Sequence, residues 1–152
     1  MLVGVVSDTH GRMHHGTLSA LAGVERILHA GDVGDPAILH VLSTVAPVTA
    51  VRGNVDHGEL ARVLPETEVV ELDGVSIYVL HDRAALDLDP VAAGFGVVVS
   101  GHTHKSRIER YRDVLYLNPG SCGPRRFRLP ITIAKLSVER GDTHAEIVTL
   151  ET

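Results

Sequence analysis

The stretch VVVSGHTH, from Val97 to His104, joins an apolar run to a glycine and two histidines. A short apolar run that is bounded by turn residues is typical of a buried strand. Histidine is the commonest metal ligand in proteins and a frequent acid–base group near neutral pH. We therefore expect a strand that ends near Gly101 and carries two histidines to a site at its carboxyl end.

Four other apolar runs, LVGVV, RILHA, VTAVR and SIYVL, also end beside side chains that can bind a metal ion. These side chains are Asp8 and His10, Asp32, Asn54, and His81. In open α/β sheets, ligands bind beyond the carboxyl ends of the strands, so we expect the five strand ends to form one site. Residues i and i+2 of an extended chain point the same way, which predicts that His102 and His104 face a common centre.

The order of the predicted elements indicates an α/β protein. Predicted strands at 2–6, 26–30 and 48–51 alternate with helices near 14–22 and 35–45, which favours a parallel sheet covered by helices. A hairpin over 68–80 turns at Asp73-Gly74, and a helix at 90–93 precedes the strand 97–100. Segments 107–117 and 131–150 are predicted to be antiparallel hairpins. We expect a mixed sheet plus a largely antiparallel sheet, in one domain over residues 1–152.

Composition excludes several classes of protein. The net charge of −5 argues against a binder of membrane surfaces or of nucleic acids in general. The chain has 3% aromatic residues and no tryptophan, so it lacks an extended stacking platform. One cysteine permits no intrachain disulfide, and the first residues lack a signal-peptide pattern, which together predict a cytoplasmic protein. A homo-oligomer is compatible with all of these features.

Five motifs in this order resemble those of the calcineurin-like metallophosphoesterases. The motifs are SDTHG at 7–11, HAGD at 29–32, VRGNVD at 51–56, GHTH at 101–104 and LNPGS at 117–121. The resemblance runs from about Leu2 to Val138 and is greatest to the small single-domain branch of bacteria and archaea. That branch also includes the phosphoesterase-like subunit of the retromer sorting complex.

The resemblance implies a four-layer α/β/β/α sandwich with two divalent metal ions between the sheets. One ion would be held by Asp8, His10, Asp32 and His104. The other would be held by Asp32, Asn54, His81 and His102, with Asp32 bridging. Nitrogen and oxygen ligands without thiolate suit manganese, which we favour, and also iron, zinc or nickel.

The function implied by the resemblance is that of a metal-dependent phosphodiesterase. A hydroxide activated by both metal ions would attack phosphorus in line, and Asp32 and Asn54 are the central catalytic ligands. The substrate would be a phosphate-ester small molecule or a nucleotide-type phosphodiester. The alternative function is a protein-interaction module of the same fold with weak or no activity. A purely structural metal site is disfavoured, because such sites are closed whereas an Asn ligand leaves positions for water and substrate.

Two positions depart from the family pattern. Val55 stands where larger members have a histidine that protonates the leaving group. The nearest candidate proton donor is Asp56, for which a turn or capping role is an equal alternative. Asp82 stands where the family has glycine, and we expect it to cap the helical segment that follows.

Other polar residues near the motifs have less specific assignments. Arg12 is a candidate ligand of the substrate phosphate. Arg125, Arg126 and Arg128 are expected to be solvated surface residues, and the lone Cys122 a packed one.

Overall fold

The computed structural model describes all residues from Met1 to Thr152 and contains two five-stranded sheets with short helices. The strands are β1 (Leu2–Val6), β2 (Arg26–His29), β3 (Val48–Ala50), β4 (Thr67–Leu72), β5 (Val75–Leu80), β6 (Phe95–Val99), β7 (Arg107–Tyr111), β8 (Val114–Asn118), β9 (Ile131–Glu139) and β10 (Asp142–Glu151). The helices are α1 (Thr17–Ala20), α2 (Pro36–Ser43), α3 (Glu59–Val63) and α4 (Pro90–Ala93), with a 3-10 turn at Arg83–Ala85.

The first sheet has the strand order β10-β9-β1-β2-β3. β1, β2 and β3 are parallel, with Val5 opposite Leu28, so their carboxyl ends lie at one edge of the sheet. The hairpin β9–β10 joins this sheet through antiparallel pairing of β9 with β1. The C-terminal hairpin therefore completes the sheet that the N-terminal strands begin.

The second sheet has the order β4-β5-β6-β8-β7 and is more parallel than expected. β6 is parallel to both β5 and β8, whereas the outer pairs β4–β5 and β7–β8 are antiparallel. The prediction of a largely antiparallel second sheet was wrong in this respect. After β6 the chain continues into the edge strand β7, which runs in the opposite direction to β8. β8 therefore starts at the same end of the sheet as β6, and the two strands are parallel.

Alternation along the strands sorts side chains between the layers. Val3 and Val5 of β1 face the second sheet and belong to the largest apolar cluster, with Ile77 and Val99 from the second sheet. The opposite face of the first sheet packs under α1, α2 and α3 through a second cluster. Residues 83–93, with α4, partly cover the outer face of the second sheet. The architecture is the expected four-layer α/β/β/α sandwich, and its outermost layer is thin.

Three aspartates begin helical segments by accepting a hydrogen bond from a backbone N–H two residues later. Asp35 begins α2, Asp89 begins α4, and Asp82 begins the 3-10 turn, which confirms the predicted capping role of Asp82. α3 was not predicted, and it starts at Gly58 without a side-chain cap. No helix of this structure has the length and apolarity that crossing a membrane requires.

Candidate metal centre

The candidate metal ligands lie where the two sheets meet, beyond the carboxyl ends of five strands. Three of these strands, β1, β2 and β3, belong to the first sheet, and β5 and β6 belong to the second. Nε2 of His81 lies 3.1 Å from Oδ2 of Asp32, so a residue of each sheet contributes to one contact. The site is therefore built between the sheets.

The first ligand group contains Asp8, His10 and His104, whose potential ligand atoms all lie within 4.8 Å of one another. Oδ1 of Asp8 is 3.7 Å from Nε2 of His10 and 3.4 Å from Nε2 of His104. Both Asp8 and His104 are buried, while His10 is partly exposed. This group alone offers two imidazoles and one carboxylate to a cation.

The second ligand group contains Asp32, His81 and His102, again within 4.8 Å of one another. Oδ2 of Asp32 lies 3.7 Å from Nε2 of His10 and so faces the first group as well. Asn54 is exposed and lines a cavity of about 540 Å³ together with His81 and His102. The structure thus places Asp32 between the groups and Asn54 on the open side of the second.

His102 and His104 belong to different groups, so the prediction from strand alternation was wrong for this pair. The backbone explains the difference, because His102 (φ 72°) and His104 (φ 63°) are left-handed rather than extended. Asp8, His10 and Asp32 are also left-handed, with φ between 47° and 55°. Each such residue costs about 1–2 kcal/mol, and strain of this kind concentrates at functional sites.

Hydrogen bonding shows that these residues suit a metal ion. Nδ1 of His81 donates to the carbonyl oxygen of Ala30 at 2.7 Å, which leaves the lone pair of Nε2 directed at Asp32. Oδ1 of Asp8 and Nε2 of His81 are buried without a hydrogen-bond partner. A lone pair that faces a carboxylate is repelled unless a cation or a proton lies between them. A backbone carbonyl that orients a histidine is also the usual arrangement around metal ligands.

The pKa values of these groups reflect the same contacts. Burial opposes ionisation of Asp8, but the imidazoles of His10 and His104 beside its Oδ1 and the hydrogen bond from Ser7 outweigh burial, so its pKa lies well below the usual range. Burial likewise opposes the charged form of His81, but Asp32 and Asp8 outweigh it and raise its pKa. The site without metal is thus a set of anions that attracts positive charge.

His29 lies beneath the site and joins two of its loops, a role that the sequence analysis missed. It is fully buried, and its Nδ1 accepts from the N–H of Gly31 at 3.1 Å. Nε2 therefore carries the proton and donates to Oγ1 of Thr9 at 3.0 Å, and Thr9 donates to the carbonyl oxygen of Val33. Burial lowers the pKa of His29 to about 4, so the ring is neutral. Its position in the motif HAGD was the available signal.

Asp56 is placed to hold loops rather than to donate a proton. Its Oδ2 accepts from the N–H groups of Gly53 at 2.8 Å and Val33 at 3.2 Å, and its Oδ1 accepts from Gly34 at 2.9 Å. The carboxylate is buried under the loops that carry Asp32 and Asn54. The structure therefore favours the structural alternative for Asp56.

Two glycines allow the backbone to approach the candidate ligands closely. A Cβ atom on Gly53 would overlap the Asp32 carboxylate, and one on Gly101 would overlap Ser7 and Asp8. The hydroxyl of Ser7 donates to Oδ2 of Asp8 at 2.6 Å, and the N–H of His102 donates to the same oxygen at 3.0 Å. These two bonds leave Oδ1 of Asp8 as the free ligand atom.

The remaining candidates lie around the rim or below it. Oδ2 of Asp82 is 3.8 Å from Nε2 of His102. Arg12 is exposed, and its guanidinium makes no ion pair. Cys122 is buried, and burial raises its pKa to about 12, which is unsuited to a nucleophile.

Comparison with known proteins agrees with this geometry. A probable metallophosphoesterase of Methanocaldococcus jannaschii is 40% identical over 153 residues, which cover 91% of this chain and 77% of that protein. A solved archaeal phosphodiesterase has a TM-score of 0.79 at 25% identity and covers 97% of this chain and 100% of its own.

A mutant Vps29 of Entamoeba histolytica has the same TM-score of 0.79 at 23% identity, over 99% of this chain and 100% of that one, and shows the shared fold. The family model of the calcineurin-like phosphoesterase superfamily domain matches residues 1–141. With the ordered motifs and the two ligand groups between the sheets, this match shows that the chain belongs to the calcineurin-like phosphoesterase superfamily.

Proposed function

We propose that residues 1–152 act as one domain, a metal-dependent phosphodiesterase that uses two divalent ions. The observation that carries this proposal is the pair of ligand groups on either side of Asp32, with buried ligand atoms that no protein group satisfies. The family supports phosphoesterase chemistry, and the likeness to an archaeal phosphodiesterase supports a diester substrate.

In this proposal each ion takes four protein ligands and shares Asp32. The ligands of the first ion would be Asp8, His10, Asp32 and His104. Those of the second would be Asp32, Asn54, His81 and His102. When bound, the two ions would provide a nucleophile derived from water at neutral pH and would stabilise the charge of an in-line displacement. Manganese is favoured, with iron, zinc and nickel as alternatives.

With both metal ions bound, the site would attract an anion, although the chain has a net charge of −5. The two carboxylates among the ligands, Asp8 and Asp32, offset only half of the charge of two divalent ions. Asn54 is neutral and exposed, so it leaves room for a phosphate oxygen on the open side.

The proposal includes a preference for leaving groups that depart without a proton. Val55 has no proton to donate, and the carboxylate oxygens of Asp56 are occupied by backbone N–H groups. A phenolate with a low pKa needs little help from a general acid, whereas an alkoxide needs much. We therefore expect aryl diesters to be cleaved faster than dialkyl diesters.

The test is hydrolysis of bis-p-nitrophenyl phosphate by metal-stripped protein, with Mn²⁺, Ni²⁺, Zn²⁺, Mg²⁺ or no metal added back. Turnover should require a metal and should fall at least about 100-fold in Asp32→Asn, because that variant removes the shared anionic ligand. His144→Ala, an exposed histidine outside the motifs, serves as the matched control and should retain activity.

Absence of turnover with every metal, in protein shown to be folded, would overturn the proposal. The protein-interaction module would then be the better interpretation, since Vps29 has this fold.

A further inference from the structure

The loop Pro124–Pro130 lies beside the first ligand group and is held in place from within. The guanidinium of Arg125 donates to the carbonyl oxygen of Leu129 at 3.1 Å and to Oε2 of Glu151 at 2.9 Å. The N–H of Leu129 donates to the carbonyl oxygen of Arg126 at 3.1 Å, which closes a turn over 126–129. Arg125 thus has a structural role, and the turn is fixed to the end of β10.

Phe127 lies in this turn, and both the exposure of its side chain and its backbone conformation are unfavourable. Its side chain is 87% exposed, the highest value among the exposed large apolar residues of the chain. Its backbone is left-handed, with φ 60°, which favours glycine or asparagine over a bulky residue. Neither feature contributes to the stability of the fold. A ligand that contacts the ring would explain why an aromatic side chain is displayed in this way.

The surroundings of Phe127 are positively charged, and the arginine side chains that carry this charge are free to bind an anion. Arg126 and Arg128 make no ion pair or side-chain hydrogen bond, and neither does Arg12. Arg126 lines a small cavity together with the ligand His104. Arg12 lines an adjoining groove of about 410 Å³ with Gly123 and Pro124. Unpaired guanidinium groups therefore lie on the side of the centre that the first ligand group occupies.

The opposite side of the centre has a different charge. The cavity beside Asn54 is lined by Glu66, Asp82 and Asp87, and its one arginine, Arg52, is paired with Glu66 at 3.0 Å. An extended anionic substrate is therefore attracted to the side of Arg126 and repelled from the acidic side. The two sides of the centre are thus not equivalent for a charged diester.

We propose that the turn Arg126–Leu129 binds the nucleoside part of a nucleotide-type phosphodiester. Phe127 stacks on the base, and Arg126 and Arg12 pair with phosphate oxygens. Stacking of bases on an exposed aromatic ring, combined with arginine contacts to phosphate, is the usual physical basis of nucleotide binding without base-specific hydrogen bonds. This inference rests on the proposed function and names the substrate class of the same site.

The first test measures binding without metal or turnover. The chain contains no tryptophan, so Phe127→Trp creates a single fluorescent reporter on the turn. Addition of AMP to this variant in EDTA should quench the fluorescence saturably, and ribose 5-phosphate should bind at least about tenfold more weakly because it cannot stack. Combining Phe127→Trp with Arg126→Ala should weaken AMP binding and reduce its dependence on salt.

Tyr111→Trp is the matched control for this measurement. Tyr111 is also an exposed aromatic beside an arginine, since Arg112 lies 5.3 Å from its ring centre. It lies at the β7–β8 turn, at the start of β8, whereas the ligands lie beyond the carboxyl end of the parallel strand β6. AMP should quench this control without saturation.

The second test compares thymidine 5′-p-nitrophenyl phosphate with methyl p-nitrophenyl phosphate, which share a leaving group. Phe127→Ala should lower kcat/KM for the thymidine ester about tenfold more than kcat/KM for the methyl ester. Equal effects on both esters, or equal quenching of the two tryptophan variants, would overturn the nucleoside subsite.

Two further outcomes separate the alternatives. Binding of the protein to phosphatidylserine vesicles that depends on Phe127, without selectivity for AMP over ribose 5-phosphate, would also overturn the subsite and identify a membrane contact instead. Saturable AMP binding without hydrolysis of any ester would retain the subsite and overturn only the phosphodiesterase.

Discussion

Nε2 of His10 lies 3.3 Å from Nε2 of His104, although 94 positions separate the two residues in the chain. Both nitrogens also lie within 3.7 Å of Oδ1 of Asp8, which is buried and has no hydrogen-bond partner. Two imidazole lone pairs that face the same carboxylate are stabilised when a cation lies between them.

Metal ions should stabilise the folded protein. At a concentration of 100 times Kd, a bound ion adds about 2.7 kcal/mol, which corresponds to a rise in Tm of about 5–10 °C for a chain of this size. The measurement is the Tm of stripped protein with and without MnCl₂. His104→Ala should lose most of the rise, whereas His144→Ala should keep it. An equal rise in both variants would show that manganese binds elsewhere.

Replacement of Asp56 by Asn should destabilise the protein without altering the pH profile of kcat. The carboxylate accepts three backbone N–H bonds, and the amide retains a single acceptor oxygen and adds donors that have no acceptor there. We expect a loss of about 2 kcal/mol in the free energy of unfolding, measured in urea. Loss of the basic limb of the pH profile in Asp56→Asn would instead identify Asp56 as a general acid.

His29 should make the metal-free protein less stable in acid. Its pKa is lowered from 6.5 to about 4 by burial, so between these values the unfolded chain binds a proton that the folded chain does not. The free energy of unfolding should therefore rise with pH by about 3 kcal/mol across this window and then level off. The raised pKa of His81 acts with the opposite sign, because its stabilisation is lost as pH rises.

Urea unfolding of the wild type and His29→Gln in EDTA, at pH 4 to 7.5, tests this expectation. The contribution of His81 is common to both proteins and cancels in their difference. Between pH 4 and 6.5 the free energy of unfolding should rise less steeply with pH in His29→Gln than in the wild type. Equal slopes in the two proteins would contradict the lowered pKa of His29.

Cys122 should be inert in the folded protein. Burial raises its pKa to about 12, so almost no thiolate exists at pH 8. Iodoacetamide should label Cys122 only after denaturation, and mass spectrometry can measure the labelled fraction. Rapid labelling of native protein, or loss of the proposed phosphodiesterase activity in Cys122→Ser, would contradict this assignment.

Phe127→Asn should raise stability while removing the aromatic contact. Asparagine tolerates a left-handed backbone better than phenylalanine, and the exposed ring contributes no core packing. A gain of up to about 1 kcal/mol is expected in urea unfolding. A loss of more than 1 kcal/mol would show that the ring stabilises the loop.

Much of the fold could be predicted because it is encoded locally. Apolar runs identified the strands, Asp73-Gly74 identified the hairpin β4–β5, and the helix predicted near 35–45 corresponds to α2. The pairing of β9 with β1 could not be predicted, because it joins residues 129 to 135 positions apart and no local pattern specifies such a partner. α3 was missed for a local reason, since Gly58 provides no capping side chain.

The candidate site, like the fold, could be predicted from the sequence only in part. Residue type and position at strand ends identified the candidate ligands, but the division of His102 and His104 between two groups depends on left-handed backbone that an extended-chain rule does not describe. The loop contacts of His29 and Asp56 depend on backbone N–H groups of other loops. Backbone donors leave no signature in the sequence.

The pairing of β1 with β9 also determines when the site can be complete during synthesis. The first of the proposed ligands, Asp8, leaves the ribosome early, but β1 gains its second neighbour only after residue 137 has been added. The last ligand, His104, has already been made by then, so a nascent chain can hold every ligand before it holds the sheet that arranges them. Metal acquisition is therefore expected to be an event that follows translation, and truncated chains should not retain metal.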